Sequence, residues 1–277
     1  VTLVYLVDYH VHTQRCGHAC GEDREYIETA ISRGLREMGF SDHVPRFYQP
    51  KDAKMTVTER GMTAAELEGY VRAVWAYQEE YPEIKIKLGL EVDFVPGWER
   101  EIERIGSLYP WDYLIGSVHF IPEWNYGYIV RETEHGPEEI YPEYFKKVAE
   151  AAESGLFDVL GHIDLPKRSF ERLAPEVMAD LQQELAERLG KAGAVIELNT
   201  YGIRGGKIKN VGLYPDEQLL RFCREQGVRV TLGSDAHRPQ DVGADFEQAL
   251  KLMRSAGYTE IVTFERRSVK MIPWETY

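Results

Sequence analysis

Residues 3–12 read LVYLVDYHVH, a run of branched and aromatic side chains that closes on two histidines one residue apart. Such a run suits a β-strand, and alternate strand residues share a face, so His10 and His12 emerge on the same side of its end. The same grammar recurs in GFSDH (39–43), IGSVHF (115–120), VLGHIDL (159–165) and VTLGSDAH (230–237), and His18 follows the first run in CGHAC (16–20). Seven of the eight histidines thus sit at or just past the end of an apolar run, and only His135 does not. Imidazoles placed this way from residue 10 to residue 237 point to one site assembled from strand ends along the whole chain.

The intervening sequence says how those ends meet. Candidate strands at 3–10, 37–41, 84–91, 113–118, 159–162, 195–199 and 228–233 alternate with helical patterns near 23–34, 63–81, 98–108, 138–154, 175–191, 215–226 and 239–255. A further short closing strand is expected at 261–264. In 175–191, Pro175 suits a first turn and the row Val177, Leu181, Leu185, Leu189 reads as a buried stripe. Strand–helix units in series call for a parallel sheet with outer helices, because parallel neighbours need crossovers. A closed barrel brings every carboxyl end to one mouth, whereas an open doubly wound sheet leaves its outer strand ends far from the centre. We therefore expect an α/β fold, a (β/α)7 TIM-like barrel, as a single domain over residues 1–277. Two irregular stretches, 44–62 and 120–137, each follow a motif histidine and are expected as lids over the mouth. Their aromatics Phe47, Tyr48, Trp124, Tyr126 and Tyr128 are candidates to shape a pocket.

Composition narrows the class. With 43% hydrophobic and 29% charged residues the chain is an ordinary globular protein. A net charge of −13 without a basic stripe excludes long nucleic acid as a partner, though not a small phosphorylated substrate. Three cysteines make no disulfide framework: Cys16 and Cys20 read as loop residues in a reduced compartment, and Cys223 as core. No apolar run reaches membrane-spanning length, and a cytoplasmic protein with no membrane partner is expected.

Polar pairs two apart recur at the run ends: His10/His12, Glu91/Asp93, Ser117/His119, His162/Asp164, Asn199/Tyr201 and Asp235/His237. Burying them together without a cation would leave charges and donors unpaired. Imidazole and carboxylate suit zinc, iron or manganese rather than calcium or magnesium, and the donors exceed one tetrahedral site, so two or three divalent ions are expected. Ions roughly 3.5–4 Å apart can clamp both oxygens of an in-line displacement.

The ordered set of an early HxH (His10, His12), His18 in CGHA, Asp42-His43, a central Glu91, GSVH (His119), GHID (His162) and a late SDAH (Asp235, His237) resembles the polymerase-and-histidinol-phosphatase (PHP) superfamily over essentially the whole chain. GHIDLPKR, ELNTYGIRGG and LGSDAHRP are similar, more narrowly, to its histidinol-phosphate phosphatases. The resemblance implies a distorted barrel with a trinuclear centre. His10, His12, Glu91 and Asp235 would hold one ion, Glu91 would bridge to a second held by His119 and His162, and His18, His43 and His237 would hold the third. It implies hydrolysis of L-histidinol phosphate in histidine biosynthesis, with no covalent enzyme intermediate and with Asp235 or His237 managing the proton. Arg168 (or its neighbour Lys167), Arg204 and Lys207 are candidates for the phosphate, and Glu123, Glu132 or Glu134 for the substrate amine. Asp42, Asp93, Asp164 and Asn199 are expected to orient imidazoles. The alternatives are a PHP phosphodiesterase or nucleotide phosphatase and, outside enzymes, a metal-binding accessory module.

Overall fold

The computed structural model describes residues 3–44, 61–121, 135–205 and 211–276. Its centre is a parallel sheet of seven strands lying side by side in chain order: β2 (Val7–Val11), β3 (Glu37–Phe40), β4 (Lys85–Asp93), β5 (Tyr113–Ser117), β6 (Val159–Leu160), β7 (Val195–Asn199) and β8 (Arg229–Gly233). The crossovers carry α1 (Asp23–Ser32), α2 (Ala64–Glu80), α3 (Glu99–Gly106), α4 (Pro137–Glu153), α5 (Pro175–Lys191), α6 (Tyr201–Arg204) and α7 (Glu217–Glu225), and α8 (Phe246–Ala256) follows β8. A two-residue β1 (Leu3–Val4) leaves the barrel and pairs with β11 (Glu275–Thr276), so the expected strand 3–10 is divided in two.

The sheet closes on itself through the chain just beyond β8. Val11 and Ala236 form a parallel bridge, His12 N donates to Ala236 O (2.9 Å) and Ala236 N donates to His10 O (3.1 Å). Asp8 clamps this seam from within: its buried carboxylate accepts the backbone N–H groups of Ser234 (2.9 Å) and Gly243 (2.8 Å). Six crossovers join the seven strands, and the Val11–Ala236 bridge makes them a barrel rather than an open sheet.

Three expectations are corrected. Segment 261–264 does not close the barrel; it belongs to β9 (Glu260–Glu265), which forms an antiparallel hairpin with β10 (Ser268–Pro273). That hairpin stoppers the amino-terminal end of the strands: Phe264 stacks on Tyr113 and meets Tyr9 edge-on, while Arg267 binds Asp158 (2.8 Å) just before β6. Tyr113 in turn fills the barrel, its hydroxyl donating to Tyr9 O (2.7 Å), and a Cβ at Gly39 or Gly89 would overlap its ring. In α5 the buried face is Met178, Gln182, Leu185, Ala186 and Leu189, whereas Val177 is 50% exposed. Four residues advance about 400°, so a strict every-fourth row drifts about 40° per step, and a row that meets the core at Leu185 and Leu189 leaves Val177 outside it. Finally, β6 stops at Leu160, because His162 takes φ 25° and turns the chain out of the strand. No helix among the described residues is long and apolar enough to cross a membrane. The lid aromatics, with Glu123, Glu132, Glu134 and Lys207, lie outside the described residues.

Candidate metal centre

The carboxyl ends of the strands bring nine donors together. His10 and His12 leave β2, His43 follows β3, Glu91 is on β4, His119 follows β5 and His162 follows β6. Asp235 and His237 follow β8, and His18 reaches in from the loop after β2. His10 and His12 are fully buried and Glu91 is 2% exposed, while His18 and His237 stand at the open side. His135, the exception in the sequence pattern, pairs with Glu139 (3.0 Å) on α4 instead.

Glu91 is the hub. Its Oε2 lies 2.8 Å from His43 Nδ1 and 3.5 Å from both His10 Nε2 and His12 Nε2. Its Oε1 accepts from Ser117 Oγ (2.6 Å) and lies 3.2 Å from His162 Nε2 and 3.5 Å from His119 Nε2. Asp235 Oδ1 stands 3.3 Å from His12 Nε2 and 3.6 Å from His10 Nε2. At the open side His18 Nε2 and His237 Nε2 are 2.7 Å apart.

These spacings test the donors against a cation. Ligands about 2.0–2.1 Å from a tetrahedral zinc ion stand about 3.3 Å from one another, which is the separation seen among the His10, His12, Glu91 and Asp235 atoms and among the His119, His162 and Glu91 atoms. In the second group His162 Nε2 is also within hydrogen-bond reach of Glu91 Oε1 and His119 Nε2, both at 3.2 Å, whereas in the first group no such bond forms. Indeed His10 Nε2 and His12 Nε2 are buried with no hydrogen-bond partner among the described residues, at a cost that a bound cation removes. Three-donor groups converge at His10/His12/Glu91, Glu91/His119/His162, His12/His43/His237 and Cys16/His18/His237. Cys16 therefore stands closer to the cluster than its sequence context suggested, although burial pushes its thiol up to about 12.

The electrostatics are those of donors awaiting metal. Burial alone would raise the Glu91 and Asp235 carboxyls, but the imidazoles around them, His43 first for Glu91 and His10 for Asp235, hold both well below the carboxylate range. Burial would lower His10, yet Glu197, Asp235 and Glu91 outweigh it and hold its pKa well above the imidazole value. His12 goes the other way: burial, then His237 and His43, keep it well below. Two ligand-bearing turns are strained, with φ 25° at His162 and 53° at Asp235, as backbone at functional sites often is.

The supporting residues divide. Asp93 accepts from His119 Nδ1 (2.6 Å), fixing that ring with Nε2 toward Glu91. Asp42 binds Thr13 N (2.7 Å) and the Thr13 hydroxyl, 3.8 Å from His12 Nδ1, and burial pushes its carboxyl up to about 7. Asn199 donates to Glu197 Oε1 (2.8 Å), so it orients a carboxylate rather than an imidazole. Asp164 touches no imidazole: it binds Lys167 Nζ (2.7 Å) and Asp216 N (2.8 Å), which also occupies Lys167. Arg204 does not line the cleft, because Asp245 (2.7 Å), Ser234 O (2.7 Å) and Thr200 draw its guanidinium into the loops behind β7 and β8. Arg168 does line it, lying over the Tyr201 ring at 5.2 Å, beside Leu165 and Tyr214.

Glu197 went unnoticed in the sequence. Its buried carboxylate accepts from His10 Nδ1, His162 N and Asn199 Nδ2, each at 2.8 Å, and a Cβ at Gly233 would overlap it. The signal was present: Glu197 and Asn199 are two apart at a strand end, the spacing that marks every other pair.

The family model for the PHP domain matches residues 8–201. A Deinococcus radiodurans protein named as a probable histidinol-phosphatase is 36% identical over 271 residues, covering 96% of this chain and 98% of its own. The histidinol-phosphatase of Bacillus subtilis is 28% identical over 269 residues, covering 88% and 98%. Among solved structures, the histidinol phosphate phosphatase of Lactococcus lactis subsp. lactis, complexed with Zn, L-histidinol and phosphate, superposes with a TM-score of 0.78 at 24% identity, over 96% of this chain and 98% of that one. The chain belongs to the PHP domain family, as its histidine pattern led us to expect, and its barrel is the PHP-type variant of the TIM-like fold.

Proposed function

We propose that this chain is a metal-dependent phosphate monoester hydrolase that converts L-histidinol phosphate and water to L-histidinol and phosphate, a step of histidine biosynthesis. The observation that carries the reading is the convergence of nine imidazole and carboxylate donors, Glu91 among them, at the mouth of the barrel, and the near full-length likeness to histidinol-phosphatases supports the substrate. The residues fit divalent ions of the zinc, iron or manganese kind. His10, His12, Glu91 and Asp235 would hold one, Glu91, His119 and His162 a second, and His18, His43 and His237 a third, all within a single barrel domain. Bound there, such ions activate water and neutralise phosphoryl oxygens.

The chain's own residues supply the rest. Arg168, held over Tyr201, offers a forked guanidinium to phosphate oxygens at the cleft wall. Leu165, Tyr201 and Tyr214 exclude water around the bound ester. Asp235 and His237, at the open side, would carry a proton to the leaving alkoxide. Asp93 and Glu197 keep the Nδ1 protons of His119 and His10, so that each Nε2 lone pair faces the cluster.

Phosphate release from L-histidinol phosphate is the test, set beside p-nitrophenyl phosphate, bis-p-nitrophenyl phosphate and a nucleoside monophosphate, with enzyme purified without chelator and supplied with Zn or Mn. A strong preference for L-histidinol phosphate is expected. Preference for the diester or the nucleotide overturns the substrate while leaving the metal centre standing. Arg168→Ala should raise KM about tenfold or more with metal content unchanged.

A further inference from the structure

Tyr214 lines the metal cleft together with Leu165, Arg168, Tyr201 and His162. The residue is 1% exposed, and its buried hydroxyl has no hydrogen-bond partner among the described residues. A buried phenol normally finds a partner, because leaving the bond unmade carries the full cost of desolvation.

The ring is held on several sides. The backbone of Tyr214 pairs with Asn199 at the end of β7, Tyr214 N donating to Asn199 O (2.9 Å) and Tyr214 O accepting from Asn199 N (2.6 Å). Lys167 Nζ lies 4.7 Å from the ring centroid and is itself fixed by Asp164 (2.7 Å) and Leu213 O. The His162 ring meets it edge to face at 6.5 Å, and a Cβ on Gly202 would come within 2.8 Å of Tyr214 Cε2. Burial pushes the phenol pKa up, so the group stays a neutral donor; among charged neighbours Arg168 bears on it most, ahead of Asp164 and Asp235. A hydroxyl under the influence of a guanidinium favours an anionic acceptor over a cationic donor.

We propose that Tyr214 is a phosphate-binding residue of this site, its hydroxyl donating to a phosphoryl oxygen of the ester that Arg168 also receives. The inference rests on the phosphohydrolase reading and adds to it a donor that no charge or motif marks. A ring fixed in this way offers its hydrogen bond without reorganisation as negative charge shifts onto the phosphoryl oxygens.

Inorganic phosphate binding to the zinc-loaded enzyme, read by calorimetry and by competition with p-nitrophenyl phosphate, tests this in wild type and in Tyr214→Phe. We expect the phosphate Kd to rise about tenfold in the variant at unchanged zinc content. The kcat/KM should fall by a similar factor for p-nitrophenyl phosphate and for L-histidinol phosphate, which share the phosphoryl group. The Tm without phosphate should hold or rise, since the substitution deletes only an unpartnered hydroxyl. A phosphate Kd within about twofold of wild type overturns the proposal. So does a loss confined to L-histidinol phosphate, which would place the hydroxyl on the leaving group. A variant that no longer folds assigns the hydroxyl a structural role and overturns it too. If wild type binds no phosphate and hydrolyses neither ester, the phosphohydrolase reading fails and takes this one with it.

Discussion

Replacing Glu197 by Gln removes one charge and nearly no volume, and the consequence can be worked from three hydrogen bonds. Glu197 Oε1 accepts from His162 N and Asn199 Nδ2, and Oε2 accepts from His10 Nδ1, all at 2.8 Å. An amide oriented to keep the first two turns its NH2 on His10 Nδ1, where two donors collide unless His10 moves its proton to Nε2. That move removes the lone pair facing Glu91 and Asp235. The reverse orientation sets the NH2 against two donors at once, so no rotamer satisfies the site. Loss of such an outer partner weakens metal binding about 10–100-fold, or about 1.4–2.8 kcal/mol at 1.4 kcal/mol per decade. The lost charge-assisted bond should also destabilise the metal-free protein by about 1.5–3 kcal/mol, several degrees in Tm. Competition with a fluorescent zinc chelator gives the first quantity and thermal unfolding in EDTA the second. Metal affinity within about twofold of wild type would refute the tautomer argument, whatever happens to turnover.

Three further outcomes follow from the same geometry. Gly233→Ala should reproduce the Glu197→Gln loss of metal affinity, since its Cβ would push on the Glu197 carboxylate and on His10 Cβ (2.8 Å); zinc affinity equal to wild type would show that the backbone relaxes freely there. Metal uptake at pH 7 should release a proton from His10 and none from His12, because the folded pKa of His10 is raised and that of His12 lowered. The His10 proton stabilises the metal-free fold fully below the unfolded imidazole value near 6.5, fades as pH rises through the higher folded value, and is displaced by the ion. Calorimetry in buffers of different ionisation enthalpy reads the release, and uptake without it contradicts the assignment. Gly89→Ala should destabilise by about 3 kcal/mol or more by overpacking against Tyr113, whereas Gly69→Ala, on α2 with open space around it, should stabilise by about 0.5–1 kcal/mol; urea midpoints separate them.

Read along the chain alone, local pattern fixed to within a residue or two where most barrel strands end, and which residue types gather there. Both are local properties: alternation along a strand fixes the face of His10 and His12, and imidazole with carboxylate at that face fixes the chemistry. The crossover count then left a closed parallel barrel as the architecture that brings His10 and His237 together, and the ordered motifs placed the chain among PHP proteins. What escaped was everything set by partners far along the chain. Glu197 meets His10 across 187 positions, and nothing near either residue announces the pairing. Arg204 carries the right chemistry for phosphate, but Asp245 and Ser234 O, from the loops after β8, turn it away from the cleft. Val177 obeys the apolar spacing yet faces solvent, because an every-fourth row drifts around the helix and only its later members, Leu185 and Leu189, reach the core. The hairpin that stoppers the floor looks like one more barrel strand until Phe264 finds Tyr9 and Tyr113. Local pattern decides what a residue can do; only packing in three dimensions decides which of its possible partners arrives.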